Sequence, residues 1–125
     1  MIGRGFAVLV MLAWAGAATA QSGDEAKGER AFNQHCKTCH TVEKGGKSGV
    51  GPNLAGVFGR KAGTVDGFKF SEAITGSGIV WDEKALAEYL KDPKGRIPGN
   101  KMAFVGIKRQ DQLDDLIAYL QKATR

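Results

Sequence analysis

Apolar residues recur with a helical period in three stretches of the chain. The clearest stretch is near the C-terminus, where apolar positions follow the i, i+3, i+4, i+7 spacing of one helix face: Leu113, Leu116, Ile117 and Leu120. Acidic residues cluster at the start of this stretch and basic residues at its end, as the helix dipole favours. The pattern predicts an amphipathic helix that packs against the rest of the protein.

A helix in the N-terminal part is predicted from a start signal and a shared face. Ser22 and Glu25, three residues apart, resemble a capping box, and helix-forming residues continue to about Asn33. Gly28 and Phe32 fall on one face of this helix. The helix would end just before the two cysteines of the chain.

A further helix is predicted over Glu83–Lys91, because Asp82 is a good N-cap and Pro93 prevents continuation. Upstream of it, residues 45–77 are rich in glycine and show no strand alternation. The apolar residues of this segment are too numerous for a solvated linker: Val50, Leu54, Val57, Phe58, Phe68, Phe70 and Ile74. We expect the segment to wrap around a buried surface.

The first twenty residues resemble a secretory signal peptide. Arg4 supplies a positive start, residues 6–18 form an apolar run, and Ala18-Thr19-Ala20 matches a cleavage site. A bilayer-spanning helix needs about 20 apolar residues, so cleavage after Ala20 fits better than the alternative, an uncleaved membrane tether. We therefore expect an exported protein, located in a bacterial periplasm, in which residues 21–125 form one small domain.

The charge balance indicates acidic partners. The chain has 18 Lys and Arg residues against 13 Asp and Glu, a net charge of +5. Cleavage would remove Arg4 and leave +4. Nucleic acid is another partner that suits a basic chain, but export argues against it.

The two cysteines of the chain stand in the sequence Cys36-Lys37-Thr38-Cys39-His40. This spacing is typical of c-type haem attachment, in which each thiol adds to a vinyl group and the histidine ligates the iron. The alternatives are a thioredoxin-like dithiol, half of a zinc site and a structural disulfide. They fit less well. A dithiol of this kind is typical of a βαβ setting, and a tetrahedral zinc site needs two further Cys or His ligands, whereas His35 is the only other histidine of the chain.

Met102 is the one methionine that remains after cleavage, since Met1 and Met11 belong to the signal segment. A lone methionine beside Phe104 is often core filler. The Pro/Gly-rich stretch that precedes Met102 instead favours a rigid loop able to present a thioether sulfur. A second axial ligand of this kind would decide between electron transfer and chemistry at the iron.

The chain resembles the class I c-type cytochromes over nearly all of residues 23–124, and is most similar to the mitochondrial protein and its short bacterial counterpart. The motifs that carry the resemblance are Cys36-Lys37-Thr38-Cys39-His40, Gly51-Pro52-Asn53-Leu54, Phe58-Gly59-Arg60-Lys61, Trp81, Glu88-Tyr89-Leu90, Ile97-Pro98-Gly99-Asn100-Lys101-Met102, Phe104, Gly106-Ile107-Lys108 and Asp115-Leu116-Ile117-Ala118-Tyr119-Leu120. The resemblance implies a small, single-domain, all-α fold whose helices and long loops wrap around one covalent haem c. Cys36 and Cys39 would attach this haem, and His40 and Met102 would be its axial ligands.

The resemblance also assigns supporting roles. Pro52 would accept a hydrogen bond from the proximal histidine through its carbonyl, which fixes the ring. Tyr89 would lie near the methionine sulfur, and Phe104 would cover the haem edge. Three residues would bind or neutralise the haem propionates: Arg60, Trp81 and Asn100.

The function implied by the resemblance is one-electron transfer, without enzymatic activity. The partners would be acidic docking surfaces of membrane redox complexes: quinol–cytochrome c oxidoreductase as donor, and a terminal oxidase or photosynthetic reaction centre as acceptor. The carrier would be a monomer and not an integral membrane protein. Basic residues at matching family positions are expected to bind these partners: Lys47, Lys94, Lys101, Lys108 and Arg109. The alternative is a haem-based gas sensor or peroxidase-like enzyme in which Met102 leaves the iron easily.

Overall fold

The computed structural model of the protein describes Gly3, Gly5, residues 7–11 and residues 23–125. The predicted cleavage motif Ala18-Thr19-Ala20 and the predicted cap Ser22 lie outside the described residues. Among the residues described, no helix has the length and apolar character needed to cross a membrane.

Helices supply the regular structure of residues 23–125. They are α1 (Glu25–His35), α2 (Glu72–Thr75), α3 (Glu83–Lys91), α4 (Pro93–Arg96) and α5 (Gln110–Ala123). Extended pairing in this part of the chain is limited to one isolated antiparallel bridge between Lys61 and Val80. The all-α prediction is confirmed.

The starts of the helices follow local capping chemistry. The N-cap of α1 is Asp24, whose carboxylate accepts a hydrogen bond from the Lys27 amide at 3.0 Å. The prediction of Ser22 as the cap was therefore wrong, and α1 also continues past Asn33. The prediction for α3 is confirmed at both ends, since Asp82 accepts from the Ala85 amide at 2.7 Å and Pro93 begins a separate helix.

Helices α1 and α5 cross at close range and form the most extensive helix–helix interface of the described chain. Leu116 of α5 is fully buried, and the rings of Phe32 and Tyr119 lie with centroids 5.5 Å apart. Gly28 permits this approach: a Cβ atom there would collide with the Asp115 carbonyl oxygen and lie 2.7 Å from the Tyr119 Cβ. The predicted amphipathic helix thus packs on α1 through its apolar face.

Helix α3 contributes the other wall of the core. Its buried residues are Leu86, Tyr89 and Leu90, as the spacing predicts. The Tyr89 ring packs on Trp81 with centroids 5.0 Å apart. Burial raises the pKa of the Tyr89 phenol to about 12, because the apolar surroundings disfavour the phenolate.

The long segment before α3 is fixed by backbone hydrogen bonds to distant parts of the chain. The Gly56 amide donates to the Thr124 carbonyl at 2.6 Å, and the Ala62 amide donates to the Ile79 carbonyl at 2.7 Å. Most of its apolar residues are buried or half-buried. Val50 is the exception, with 80% of its surface exposed among the protein atoms.

Gly28→Ala is expected to lower the free energy of unfolding by about 2–3 kcal/mol, because the added methyl group forces α1 and α5 apart. This loss exceeds the ~1 kcal/mol that alanine ordinarily adds to a helix relative to glycine. Denaturant unfolding followed by circular dichroism measures it. Gly49→Ala is the matched control, since its nearest neighbour is the Cys39 carbonyl oxygen at an ordinary 3.6 Å. Equal stability of the two variants would contradict the close crossing.

Tyr89→Phe is expected to make stability less sensitive to pH above about 10. The unfolded chain releases the Tyr89 proton near the ordinary tyrosine pKa of 10.0, whereas the folded protein keeps it up to about 12. The unfolded state thus binds fewer protons in this window, so the stability is present below pH 10 and lost as pH rises. Urea midpoints of both proteins at about pH 9 and 11 measure the difference. Equal losses in the two proteins would exclude this contribution of Tyr89.

Candidate haem-binding site

The Cys-X-X-Cys-His segment forms a tight turn directly after α1. Cys36 is the C-cap of that helix, and its amide still donates to the Phe32 carbonyl at 2.8 Å. The Cys39 and His40 amides both donate to the Cys36 carbonyl, at 3.1 and 3.0 Å. The end of α1 therefore holds the two thiols and the imidazole in one short, hydrogen-bonded turn.

The His40 ring is oriented by a backbone carbonyl. Its Nδ1 lies 2.8 Å from the Pro52 oxygen, and because a carbonyl only accepts, Nδ1 carries the proton. The Nε2 lone pair is then available to a metal, which matches the predicted role of Pro52. Burial lowers the pKa of His40 and outweighs the smaller, opposite effect of the Pro52 hydrogen bond. The imidazole is thus neutral, the form that binds iron, at neutral pH.

Gly51 and Asn53, on either side of Pro52, shape the loop that meets His40. A Cβ atom on Gly51 would lie 2.7 Å from the His40 Nδ1 and still closer to the ring carbon Cε1, so only glycine allows the contact. The Asn53 amide donates to the Thr41 Oγ1 at 2.7 Å and to the Glu43 carbonyl at 3.0 Å. Both residues belong to a motif of the family resemblance, but the sequence alone assigned them no role. An asparagine directly after a proline was the available signal of a turn.

The thiols fit covalent attachment better than the alternatives. Cys36 and Cys39 are free and half-buried. Burial, with a smaller effect of the neighbouring Cys39, raises the pKa of Cys36 to about 11, whereas an attacking dithiol needs a lowered pKa. Within residues 23–125 and the few described before them, no three His, Cys, Asp or Glu side chains group as metal ligands. A zinc centre therefore has no donor set there.

Met102 lies on a loop that a buried asparagine organises. Asn100 is 3% exposed, and its amide nitrogen donates to the Pro93 and Ile97 carbonyls, both at 2.8 Å. Its amide oxygen accepts from the Met102 backbone amide at 3.0 Å. Met102 is half-buried and packs against the core cluster. The Pro/Gly-rich stretch is thus a fixed loop, as its composition predicts.

Two of the three predicted propionate residues lie together. The Trp81 amide donates to the Arg60 carbonyl at 2.8 Å, so these residues are neighbours beside the Lys61–Val80 bridge. The Asn100 amide nitrogen donates to two carbonyls of its own loop. The propionate role of Asn100 stays a prediction.

The aromatic residues predicted around the haem occupy different environments. Tyr89 is buried in the core, whereas Phe104 is half-buried. The Phe104 ring packs on His35, with centroids 5.8 Å apart, a contact that the sequence did not predict. Because His35 precedes Cys36, this contact connects the cysteine turn with the segment that follows Met102.

The five predicted partner-binding cations are all exposed, but three of them have partners within the protein. Lys94 donates to the Asn100 carbonyl at 2.6 Å, and Lys108 donates to the Lys91 carbonyl at 2.6 Å. The Arg109 guanidinium binds the Asp111 carboxylate through two hydrogen bonds, at 2.6 and 3.1 Å, and thereby lowers the pKa of Asp111. The ammonium groups of Lys47 and Lys101 have no such bond among the described residues.

The residues present fit a haem. Half-buried apolar side chains pack around the core and offer a surface for the macrocycle, among them Leu54, Phe58, Ile74, Ile79 and Phe104. The imidazole of His40 and the thioether of Met102 are the nitrogen and sulfur donors that haem iron accepts. Of the buried side-chain polar atoms described, none lacks a hydrogen bond, so no orphaned group demands a different ligand.

Comparison with known proteins agrees with this fit. The family model for cytochrome c matches residues 25–124. Cytochrome c of Chlamydomonas reinhardtii is 50% identical over 107 residues, which cover 86% of this chain and 96% of that protein. Cytochrome c2 iso-2 of Magnetospirillum fulvum is 60% identical over 86 residues, covering 69% of this chain and 88% of that protein.

A third relative matches over a longer stretch. Cytochrome c2 of Blastochloris viridis is 46% identical over 117 residues, covering 94% of this chain and 90% of that protein. Cys36 and Cys39 supply the spacing by which this family attaches its haem c. The family match and the high identities together assign the chain to one protein family. The chain belongs to the cytochrome c family, as an electron carrier with covalent haem c and not an enzyme.

Proposed function

We propose that the protein is an exported one-electron carrier in which His40 and Met102 occupy both axial positions of the iron. The His40–Pro52 hydrogen bond carries this proposal, because it fixes the tautomer in which Nδ1 holds the proton and the Nε2 lone pair is free to bind a metal. Met102 supports it as the one methionine outside the predicted signal segment, held on an ordered loop. With both positions filled by protein, no site remains for a substrate or gas.

A bound haem supplies the reversible couple between ferric and ferrous iron. The residues around the haem determine how easily the iron gains and loses its electron. Pro52 keeps the His40 ring in one orientation and one tautomer, so little reorganisation accompanies the change in charge. The Met102 thioether would favour the ferrous form when bound to the iron, and apolar core side chains pack against Met102.

Export to the periplasm is supported by the N-terminal residues. Residues 8–11 are apolar and 74–85% exposed, so they do not pack on the helical domain. Apolar residues that make no contact with the domain suit a signal segment that is removed after Ala20. Residues 21–125 would then be the mature carrier.

The partners that we propose are acidic surfaces of membrane redox complexes, with quinol–cytochrome c oxidoreductase as the electron donor. A terminal oxidase or a photosynthetic reaction centre would be the acceptor. The positive net charge and the exposed ammonium groups of Lys47 and Lys101 support this assignment, since exposed charges steer a carrier to an oppositely charged surface.

Visible spectra of the haem-loaded protein test the axial ligands. The ferric wild type is expected to be low-spin with the weak long-wavelength iron–sulfur band, and Met102→Ala is expected to lose that band and bind carbon monoxide when reduced. Lys101→Met, next in sequence, is the control and keeps the band. A high-spin wild type, or one that binds carbon monoxide readily, would favour the gas-sensor or peroxidase-like alternative.

Lys101→Glu tests electrostatic steering. The variant is expected to accept electrons from purified quinol–cytochrome c oxidoreductase several-fold more slowly at low salt, because reversal of one charge weakens the attraction. The difference should shrink when salt rises to about 0.5 M, where screening is strong. Lys61→Glu, with the same charge change on the Lys61–Val80 bridge, is the control. Identical salt dependence of wild type and Lys101→Glu would rule out steering at this position.

A further inference from the structure

The Asn100 side chain makes three hydrogen bonds within one loop. Its two amide hydrogens are donated to the Pro93 and Ile97 carbonyls, and its oxygen accepts from the Met102 amide. An asparagine side chain has two donor hydrogens and one acceptor oxygen. At 3% exposure, water cannot readily replace any of these bonds.

These bonds connect the Met102 backbone to both ends of α4. Pro93 is the first residue of α4, and Ile97 is the C-cap of that helix. Asn100 therefore ties the Met102 backbone to both ends of α4. Movement of Met102 away from the core must break the bond at its own amide or displace Asn100 from two buried carbonyls.

Lys94 closes the same loop from the solvent side. Its ammonium group donates to the backbone carbonyl of Asn100 at 2.6 Å, six residues along the chain. Asn100 is thus bound through its side chain from inside and through its carbonyl from outside. The Lys94 contact is charge-assisted and therefore stronger than a neutral one.

We propose that Asn100 is a positioning residue that holds the Met102 thioether at the iron, and that Lys94 reinforces it. This inference rests on the proposed axial role of Met102. It gives Asn100 a role on the methionine loop, besides the one predicted at the propionates. It also makes Lys94 a structural element of the loop in addition to a surface charge.

Competition by imidazole measures how firmly Met102 is held. Imidazole binds the ferric iron only when the thioether has left, so its apparent affinity is proportional to the open fraction of the loop. Each hydrogen bond lost is expected to raise that fraction by about fivefold. Asn100→Ala removes three bonds, and we expect imidazole to displace the iron–sulfur band at a concentration about a hundredfold lower.

Two control variants, Asp24→Ala and Lys91→Met, and a second test variant, Lys94→Met, separate positioning from general stability. Asp24→Ala removes the N-cap of α1 and lowers the unfolding temperature without touching the methionine loop, so its imidazole affinity should equal that of the wild type. Lys94 is exposed, so Lys94→Met leaves the core intact, and it should bind imidazole about fivefold more tightly. Lys91→Met removes the same charge from α3 and should have no effect.

The outcomes distinguish this inference from the proposed function. A ferric wild type without the iron–sulfur band would overturn the axial role of Met102 itself. A wild type with the band, together with unchanged imidazole affinity in Asn100→Ala, would overturn only the positioning role. If Asn100→Ala does not fold, Lys94→Met decides, and an affinity equal to that of Lys91→Met overturns the proposal.

Discussion

The close crossing of α1 and α5 is the contact on which the rest of the structure depends. Gly28 lets the two helices approach until their backbones nearly touch, and Leu116 is fully enclosed there. The crossing joins the two ends of residues 23–125, so the long segments between them are confined to a closed loop. It also fixes the direction in which α1 ends, and with it the position of the cysteine turn.

The residues proposed to attach the haem and ligate its iron lie on irregular backbone: Cys36, Cys39, His40 and Met102. Such backbone keeps one conformation only when its polar groups are satisfied, and asparagine performs this task twice. Asn53, next to Pro52, binds Thr41 and Glu43 in the segment after His40, and Asn100 binds the loop that carries Met102. The two predicted axial ligands are therefore each supported by a neighbouring amide side chain that would not itself touch the iron.

The sequence predicted those features that depend on local signals. Helix α3 has both predicted bounds, because Asp82 and Pro93 act on their immediate neighbours. The cap of α1 was misplaced because Asp24 can cap as well as Ser22, and local chemistry alone does not rank two nearby caps. The exposure of Val50 was not predictable, because an apolar residue in an irregular segment has no periodicity that indicates which side it faces. Only part of the candidate site was predictable from local signals. The thiols and His40 follow from one motif, whereas the Pro52 contact was predicted from the resemblance to a family. The role of Asn100 was beyond both, since its bonds depend on how α4 turns back on the loop, which no spacing rule encodes.

The internal bonds of Lys94, Lys108 and Arg109 have a consequence for the rate at which partners separate. A free lysine loses rotamer entropy when a partner immobilises it, and that loss opposes binding. Side chains already held by carbonyls and carboxylates lose less, but they must also give up an existing bond before making a new one. Their long-range field attracts a partner without requiring a strong final contact. If the proposed acidic partners bind at these cations, this design would let the carrier meet them quickly and leave soon after the electron has moved.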